Sequence, residues 1–560
     1  MDDVDAVQAQ IARNMLDSGD WVIAHLDGVP YLEKSPLIYW LIATSYRIFG
    51  VHDWAARVPV AVAAILLAWV TWRYGRWAFG DRAGFYAGLA LATCVGLFLF
   101  TRIQIPDVML TLWVCLAFWS FQRALEAHEP RPRLWALLLA ISLGIGVMLK
   151  GLIAIVAPAG GILLYLALTG QLFSLHVWKR LHIFTGALVI LAIAAPWHVL
   201  ATLRMPPYFD FTMHSGPGEY HGFLWFYFIN EHVLRFLNLR YPRDYNTVPR
   251  LAFWLLHLLW LFPWSFFFPA VMGLSFKPVD RAGRSRLLAL CWAAFLLVFF
   301  TFSTTQEYYS LPVYPALALL LGSAMATDSH WIRGGTRVVG GVAALALLAI
   351  AAILFAVRAL PTPGDISNGL QSHPEAYTLS LGHLRDLTIA SFAYLRVSLV
   401  VAGIAFLIGA VGALLLEARR AFLVLAVMMA VFFHGSRLAL IKFDPYLGSR
   451  PLAEALLKAP PGCLILNDEY YSFSSVFFYT GFRALLLNGR VNNLEYGSYA
   501  PGSPPAFIGD AQFAELWAKP GRCYVLSDAD KFSHLTQIID AGKFHKISES
   551  GGKLLLANQQ

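Results

Sequence analysis

Apolar and polar positions alternate along this chain on the scale of whole segments. Twelve apolar runs lie near 56–78, 83–103, 106–126, 134–149, 151–169, 181–202, 251–274, 287–303, 309–327, 338–358, 394–416 and 421–439. Most are long enough to cross the hydrocarbon core of a bilayer as a helix, which takes roughly 20 residues. The loops after the odd-numbered runs are short and basic. They carry Arg73, Arg76 and Arg82; Arg123, Arg131 and Arg133; Lys179 and Arg180; Lys277, Arg281, Arg284 and Arg286; Arg333 and Arg337; Arg419 and Arg420. By the bias of Lys and Arg toward the cytoplasm, those loops face inward. The N-terminal segment, the long loops 203–250 and 360–393, and everything after 440 then face outward.

The pattern predicts three regions. Residues 1–55 form an outer loop with juxtamembrane helices. One covers 5–17, where Ile11, Met15 and Leu16 recur at helical spacing. Another starts at Pro36, with Ser35 as its N-cap. Residues 56–439 form a twelve-span membrane domain. Residues 440–560 change character. "CLILN", "RALLLN", "RCYVLSD" and "GKLLLAN" read as strands, with helical "SSVFFYTG" and "FSHLTQIIDA" among them. This is a small α/β domain outside the membrane. It has no GxGxxG and no P-loop, so no nucleotide site is expected there. The acidic opening "MDDVDAVQAQ" holds no apolar run that would carry the outer segment across. A membrane helix preceding Met1 is the expected carrier.

Composition agrees with the pattern: 58% of the 560 residues are hydrophobic and 14% charged, against about 25% charged in soluble domains. The formal charge of +8 belongs to the cytoplasmic anchors and does not argue for nucleic acid. The five cysteines form no CxxC. A Cys463–Cys523 disulfide is left open by spacing alone.

Ionisable residues gather on the outer side. They are Asp2, Asp3 and Asp5; Glu33 and Lys34 in "YLEKSPLIYW"; Asp107 in "RIQIPDVML"; Lys150 in "MLKG"; His232 and Arg235 in "INEHVLRF"; and Glu307, Tyr308 and Tyr309 in "QEYYSLPVYPALALL". Charge at the mouth of a span is costly and usually lines a wet cavity or a site. Each residue also has a plain structural use: Asp107 as a helix cap, Lys150 as an interfacial anchor, Glu33 and Lys34 as a solvated pair, the first acids as a tail. Together, carboxylates, cations and aromatic rings suit transfer of a polar group from a lipid phosphate.

The motifs "IARNML", "SGDW", "EKSPLIYW", "AARVP", "IPDVML", "MLKG", "EHVLRF" and "EYYSLPVYPALALL", in this order over about residues 2–325, resemble bacterial membrane glycosyltransferases. These are related to protein O-mannosyltransferases and to the lipid A aminoarabinose transferase. The resemblance implies a C-type glycosyltransferase fold and a sugar donor on polyprenyl phosphate. It also implies inversion at the anomeric carbon, and a lipid A-like lipid, a glycan or a protein as acceptor. Lys34, Arg235 and Lys150 would hold the donor phosphate. Asp3, Asp5 or Asp107 would act on the acceptor, and Glu33, His232, Glu307, Tyr308 and Tyr309 would contact sugar or acceptor. The family's acidic pair is usually Asp-Glu. Here the candidates are Asp2, Asp3 and Asp5, with Val4 interposed, so which of them is the catalytic acid stays open. A divalent metal ion assisting the transfer is compatible with the carboxylates, though no ligand set is evident, and no other cofactor is indicated. The expected place is the bacterial inner membrane, with site and C-terminal domain on the periplasmic side. The competing reading is a flippase or transporter of lipid-linked sugars that performs no chemistry.

Overall fold

All twelve apolar runs are helical in the computed structural model, which describes residues 1–243, 247–303, 306–371, 382–467 and 469–560. Parts of the two long loops, 244–246 and 372–381, lie outside the described residues. Among the described residues eight helices are long and apolar enough to cross a membrane singly, so the chain is a multi-pass membrane protein. The four remaining runs of the expected twelve depart from single straight spans. Run 83–103 splits into Asp81–Ala92 and Val95–Phe100. Run 151–169 gives Ile153–Leu168, whose 16 residues reach only about 24 Å. Run 251–274 bends by 94° between Arg250–Trp260 and Trp264–Val271. Pro263 sits in that break, and its missing N–H cannot continue the helix. Run 309–327 begins as the 3-10 turn Glu307–Val313, with Pro312 inside it, and only then becomes the α-helix Tyr314–Met325.

Small residues let the membrane helices approach closely. A Cβ on Gly84 would stand 2.2 Å from the backbone nitrogen of Arg76, and one on Gly75 would stand 2.9 Å from Gly84 Cα. This is how helices pack where lipid and side chain are equally apolar.

The first outer helix runs Asp3–Ser18, with Asp2 as its N-cap. A short antiparallel hairpin, β1 (His25–Leu26) with β2 (Val29–Pro30), follows it. The next helix is Leu37–Phe49, and Ser35 does not cap it as expected. The Ser35 hydroxyl is taken instead by Val147 O at 3.0 Å and by the Tyr227 hydroxyl. Those bonds tie the first loop to the membrane bundle.

The last membrane helix, Ala418–Leu447, has 30 residues, about 45 Å, longer than the roughly 30 Å hydrocarbon core. Its polar end therefore continues past the expected boundary at 440, and the α/β domain starts near Ser449. The sheet has strand order β5-β4-β3-β6-β8-β7. The strands are β3 (Cys463–Asn467), β4 (Leu485–Leu487), β5 (Phe507–Ile508), β6 (Cys523–Asp528), β7 (His545–Ser550) and β8 (Lys553–Ala557). β3 to β6 run parallel, β8 is antiparallel to β6, and β7 pairs antiparallel with β8. Cys463 and Cys523 stand opposite each other on β3 and β6 and form a disulfide.

Candidate active site

A cavity of about 400 Å³ opens at the end of the helix bundle that carries the α/β domain. One side is polar, with the charged Glu33, Lys34, Asp107, Lys150, Glu231 and Arg235 and with His232. The other side is apolar and includes Leu152, Ile153, Val156, Val233, Phe236, Leu237, Leu296 and Phe299. Several of these, among them Val156, Val233 and Leu237, are solvent-accessible. The cavity therefore joins an ionic side to an apolar one.

Antiparallel helices bring the ionic side together. Asp107 is the first residue of Asp107–Leu125 and Lys150 the last of Pro132–Lys150. Lys150 Nζ donates to Asp107 Oδ1 at 2.5 Å. It also lies 4.5 Å from the centre of the Tyr309 ring and 5.3 Å from that of Tyr308. Gly151 follows with φ +71°, and a Cβ there would meet His232 Nε2 at 2.2 Å. That glycine lets the histidine ring lie over the backbone. Leu152 N–H donates to His232 Nε2 at 3.0 Å, so the ring proton is on Nδ1, which faces Tyr227 O at 2.5 Å. The second contact spans five residues because Trp225–Leu234 is a π-helix, a winding common at functional sites. Burial pushes the His232 pKa down. The ring is neutral with both nitrogens engaged, which suits a wall of the cavity better than a base.

Glu33 anchors the rest. Its Oε1 takes Lys34 Nζ and, at 3.4 Å, Arg235. Its Oε2 takes the Tyr31 hydroxyl at 2.6 Å and Asn493 Nδ2 at 2.6 Å. Burial works against the charge on Glu33, but Lys34, Arg240 and Arg235 outweigh it and hold the carboxyl well below its usual range. Burial likewise opposes the charge on Lys34, and Glu33 overcomes it and raises the lysine. Glu231 accepts from Arg235 at 2.5 Å and from Arg240. Three cations (Lys34, Lys150, Arg235) and three carboxylates (Glu33, Glu231, Asp107) line the cavity, and Arg240, buried behind them, pairs with Glu231. An anionic guest would meet cations already held in place.

Of the residues expected from sequence, Glu33, Lys34, Asp107, Lys150, His232, Arg235 and Tyr309 line this cavity. Tyr308 stands behind it against Lys150. Glu307 is buried at the head of its turn and is not part of the lining. Asp3 is elsewhere. Its carboxylate accepts from Ser475 N–H at 2.7 Å, Ser475 Oγ at 2.6 Å, Ser449 Oγ at 2.8 Å and Lys553 Nζ at 2.7 Å. It is a bolt between the first outer helix and the α/β domain. Asp5 is 1% exposed, pairs with Arg57 and accepts from Gln104 N–H at 2.6 Å. It fixes the loop that delivers Asp107 without reaching the cavity itself. Glu231 and Arg240 were not singled out by the sequence reading, although Glu231 and Arg235 show the i,i+4 ion-pair spacing within "EHVLRF". Asn493 gives no local sign at all. Among the described residues no group of three or more His, Cys, Asp or Glu could hold a metal ion.

The protein is a polytopic helical bundle with a small α/β domain over a charged cavity. Residues 33–199 match the dolichyl-phosphate-mannose-protein mannosyltransferase family. The chain is 28% identical over 366 residues to the undecaprenyl phosphate-alpha-4-amino-4-deoxy-L-arabinose arabinosyl transferase of Aeromonas salmonicida, covering 62% of this chain and 61% of that one. It is 31% identical over 360 residues to arabinosyl transferase 1 of the same name from Sodalis glossinidius, covering 62% and 59%. It thus spans about three fifths of the length of these relatives. In three dimensions it superposes on ArnT from Cupriavidus metallidurans bound to undecaprenyl phosphate, with TM-score 0.77 and 22% identity, covering 99% of this chain and 93% of that one. The resemblance carried by the first-loop motifs is borne out.

Proposed function

We propose that the protein is an inverting glycosyltransferase that moves a sugar from polyprenyl phosphate to an acceptor at the outer face of the membrane. The cavity carries this reading: cations for a phosphate adjoin an apolar side for a prenyl chain. The relatives' names specify an undecaprenyl phosphate-linked amino sugar, and the Cupriavidus protein was solved with undecaprenyl phosphate. Both fit that shape. A sugar phosphodiester carries one negative charge and the lipid phosphate that leaves carries more. Lys34, Arg235 and Lys150 are placed to bind the developing charge, which is where preorganised cations lower a barrier. The acceptor hydroxyl attacks C1, the C1–O bond to phosphate breaks, and the proton goes to a carboxylate. Glu33 accepts from two cations on one oxygen and two neutral donors on the other, and Glu231 accepts from an arginine on each oxygen. Asp107, which among the described residues faces Lys150 alone, is the carboxylate we assign to that proton. A single displacement inverts the anomeric carbon. The acceptor class is a lipid A-like lipid, with a glycan or protein as the other candidates. A flippase would need a polar path through the midplane, whereas the charges here collect at one end of the bundle.

Lys34→Ala should weaken binding of undecaprenyl phosphate about thirtyfold or more, the scale for losing one member of a buried charge pair. Lys34→Arg should recover part of it. Equilibrium binding to the purified protein checks this; wild-type affinity in both variants would leave Lys34 as a partner of Glu33 only.

The C-terminal domain is assigned to the periplasmic side of the bacterial inner membrane. The basic loops support this, as does the Cys463–Cys523 disulfide, since disulfides persist in oxidising compartments. A membrane-impermeant maleimide should label a Lys519→Cys variant in intact spheroplasts. Labelling only after lysis would reverse the topology.

A further inference from the structure

Glu33 and Arg240 belong to two different outer loops, and the residue that joins them comes from the α/β domain. Asn493 lies near the start of the helix Asn492–Ser498, which follows the carboxyl end of β4. That helix is held in place on all sides. Glu495 accepts from the Tyr241 hydroxyl at 2.6 Å, and the Tyr496 hydroxyl takes His221 N–H and reaches Gly222 O, each at 3.0 Å. A Cβ on Gly497 would stand 2.0 Å from Pro30 O, so the helix is pressed against the first loop. In parallel sheets ligands meet the carboxyl ends of the strands, and this helix applies that edge of the domain to the ionic side of the cavity.

Asn493 is 5% exposed. Its Nδ2 donates to Glu33 Oε2 at 2.6 Å, and its Oδ1 accepts from Arg240. A primary amide does both; a carboxylate could only accept, and a cation could only donate. We propose that Asn493 is a positioning residue for the donor phosphate: the α/β domain, through this one amide, sets how Lys34 and Arg235 are presented to the cavity. With Oε2 of Glu33 held by Asn493 and Tyr31, Oε1 is left for Lys34 and Arg235. Without the amide, Arg240 loses an acceptor and Glu33 a donor. The carboxylate then turns toward Arg240 and away from the two cations that line the cavity. The inference rests on the glycosyltransferase reading and adds the α/β domain to its donor site.

The test measures binding of undecaprenyl phosphate to the purified full chain, with thermal melting and turnover alongside, for wild type, Asn493→Asp and Asn493→Ser. At alkaline pH both variants should bind about tenfold more weakly, the cost of leaving a buried polar group unmatched. In turnover the loss should fall on KM for the donor, not on kcat. As pH falls, the aspartate variant alone should recover relative to wild type. Its protonated carboxyl can again donate to Glu33 and accept from Arg240. The titratable and charged groups around it are Glu33, Lys34 and Tyr31 from the first loop, Arg240, Arg235, Glu231 and Tyr241 from the loop 203–250, and Glu495 from its own helix. Wild-type binding matched by both variants overturns the inference, as does a loss that is independent of pH and tracks a lowered melting temperature. A wild-type chain that does not bind undecaprenyl phosphate overturns the glycosyltransferase reading and the inference with it.

Discussion

An Asp107→Asn protein should lose transfer by at least about two orders of magnitude, the low end for removing a general base, while still binding undecaprenyl phosphate. The substitution keeps the shape and the place at the helix start and removes the negative charge. Asp107 is 1% exposed and its partner Lys150 sits 2.5 Å away, so the variant also leaves a lysine without its counter-charge. Melting must therefore be measured beside turnover. A stable variant that binds donor and transfers no sugar supports the base. Turnover near the wild-type rate would reduce Asp107 to an electrostatic partner that holds Lys150 in place.

Asp3→Ala should act on architecture. It removes the acceptor of four hydrogen bonds and leaves Lys553, whose side chain is 11% exposed, with Ser472 O and Ser449 Oγ but without its counter-charge. Breaking a buried pair from one side costs about 3–5 kcal/mol. The expected result is a large drop in the temperature at which the α/β domain separates from the bundle, read by limited proteolysis or hydrogen exchange near Ser449 and Ser475. Asp3→Asn should be milder, because the amide oxygen still accepts from Ser475. An Asp3→Ala protein with wild-type stability and no transfer would return Asp3 to the chemistry.

These two aspartates show where sequence reasoning is strong and where it fails. Asp107 was legible because it follows Pro106 at the head of an apolar run, and such a run has only two ends. Lys150 was legible for the same reason at the opposite end of the next run. Asp3 and Asp5 were not separable. They sit two residues apart on one helix, and nothing local says that one turns toward Ser475 and Lys553 while the other turns toward Arg57 and Gln104. Asn493 was out of reach altogether, 460 residues from Glu33.

By itself the sequence determined the helical membrane bundle, the α/β domain after it and the end of the bundle where charge collects. Each of these follows from periodicity, run length and the cost of charge in lipid, all of which act over about 20 residues. The tertiary structure decided the rest. Four runs are broken or shortened, and the last helix overruns its apolar stretch. Glu33 is shared among Lys34, Arg235, Tyr31 and Asn493, and the first acids divide between a domain bolt and a loop brace. Buried polar groups must find partners wherever the fold brings them, and those partners come from segments hundreds of residues apart.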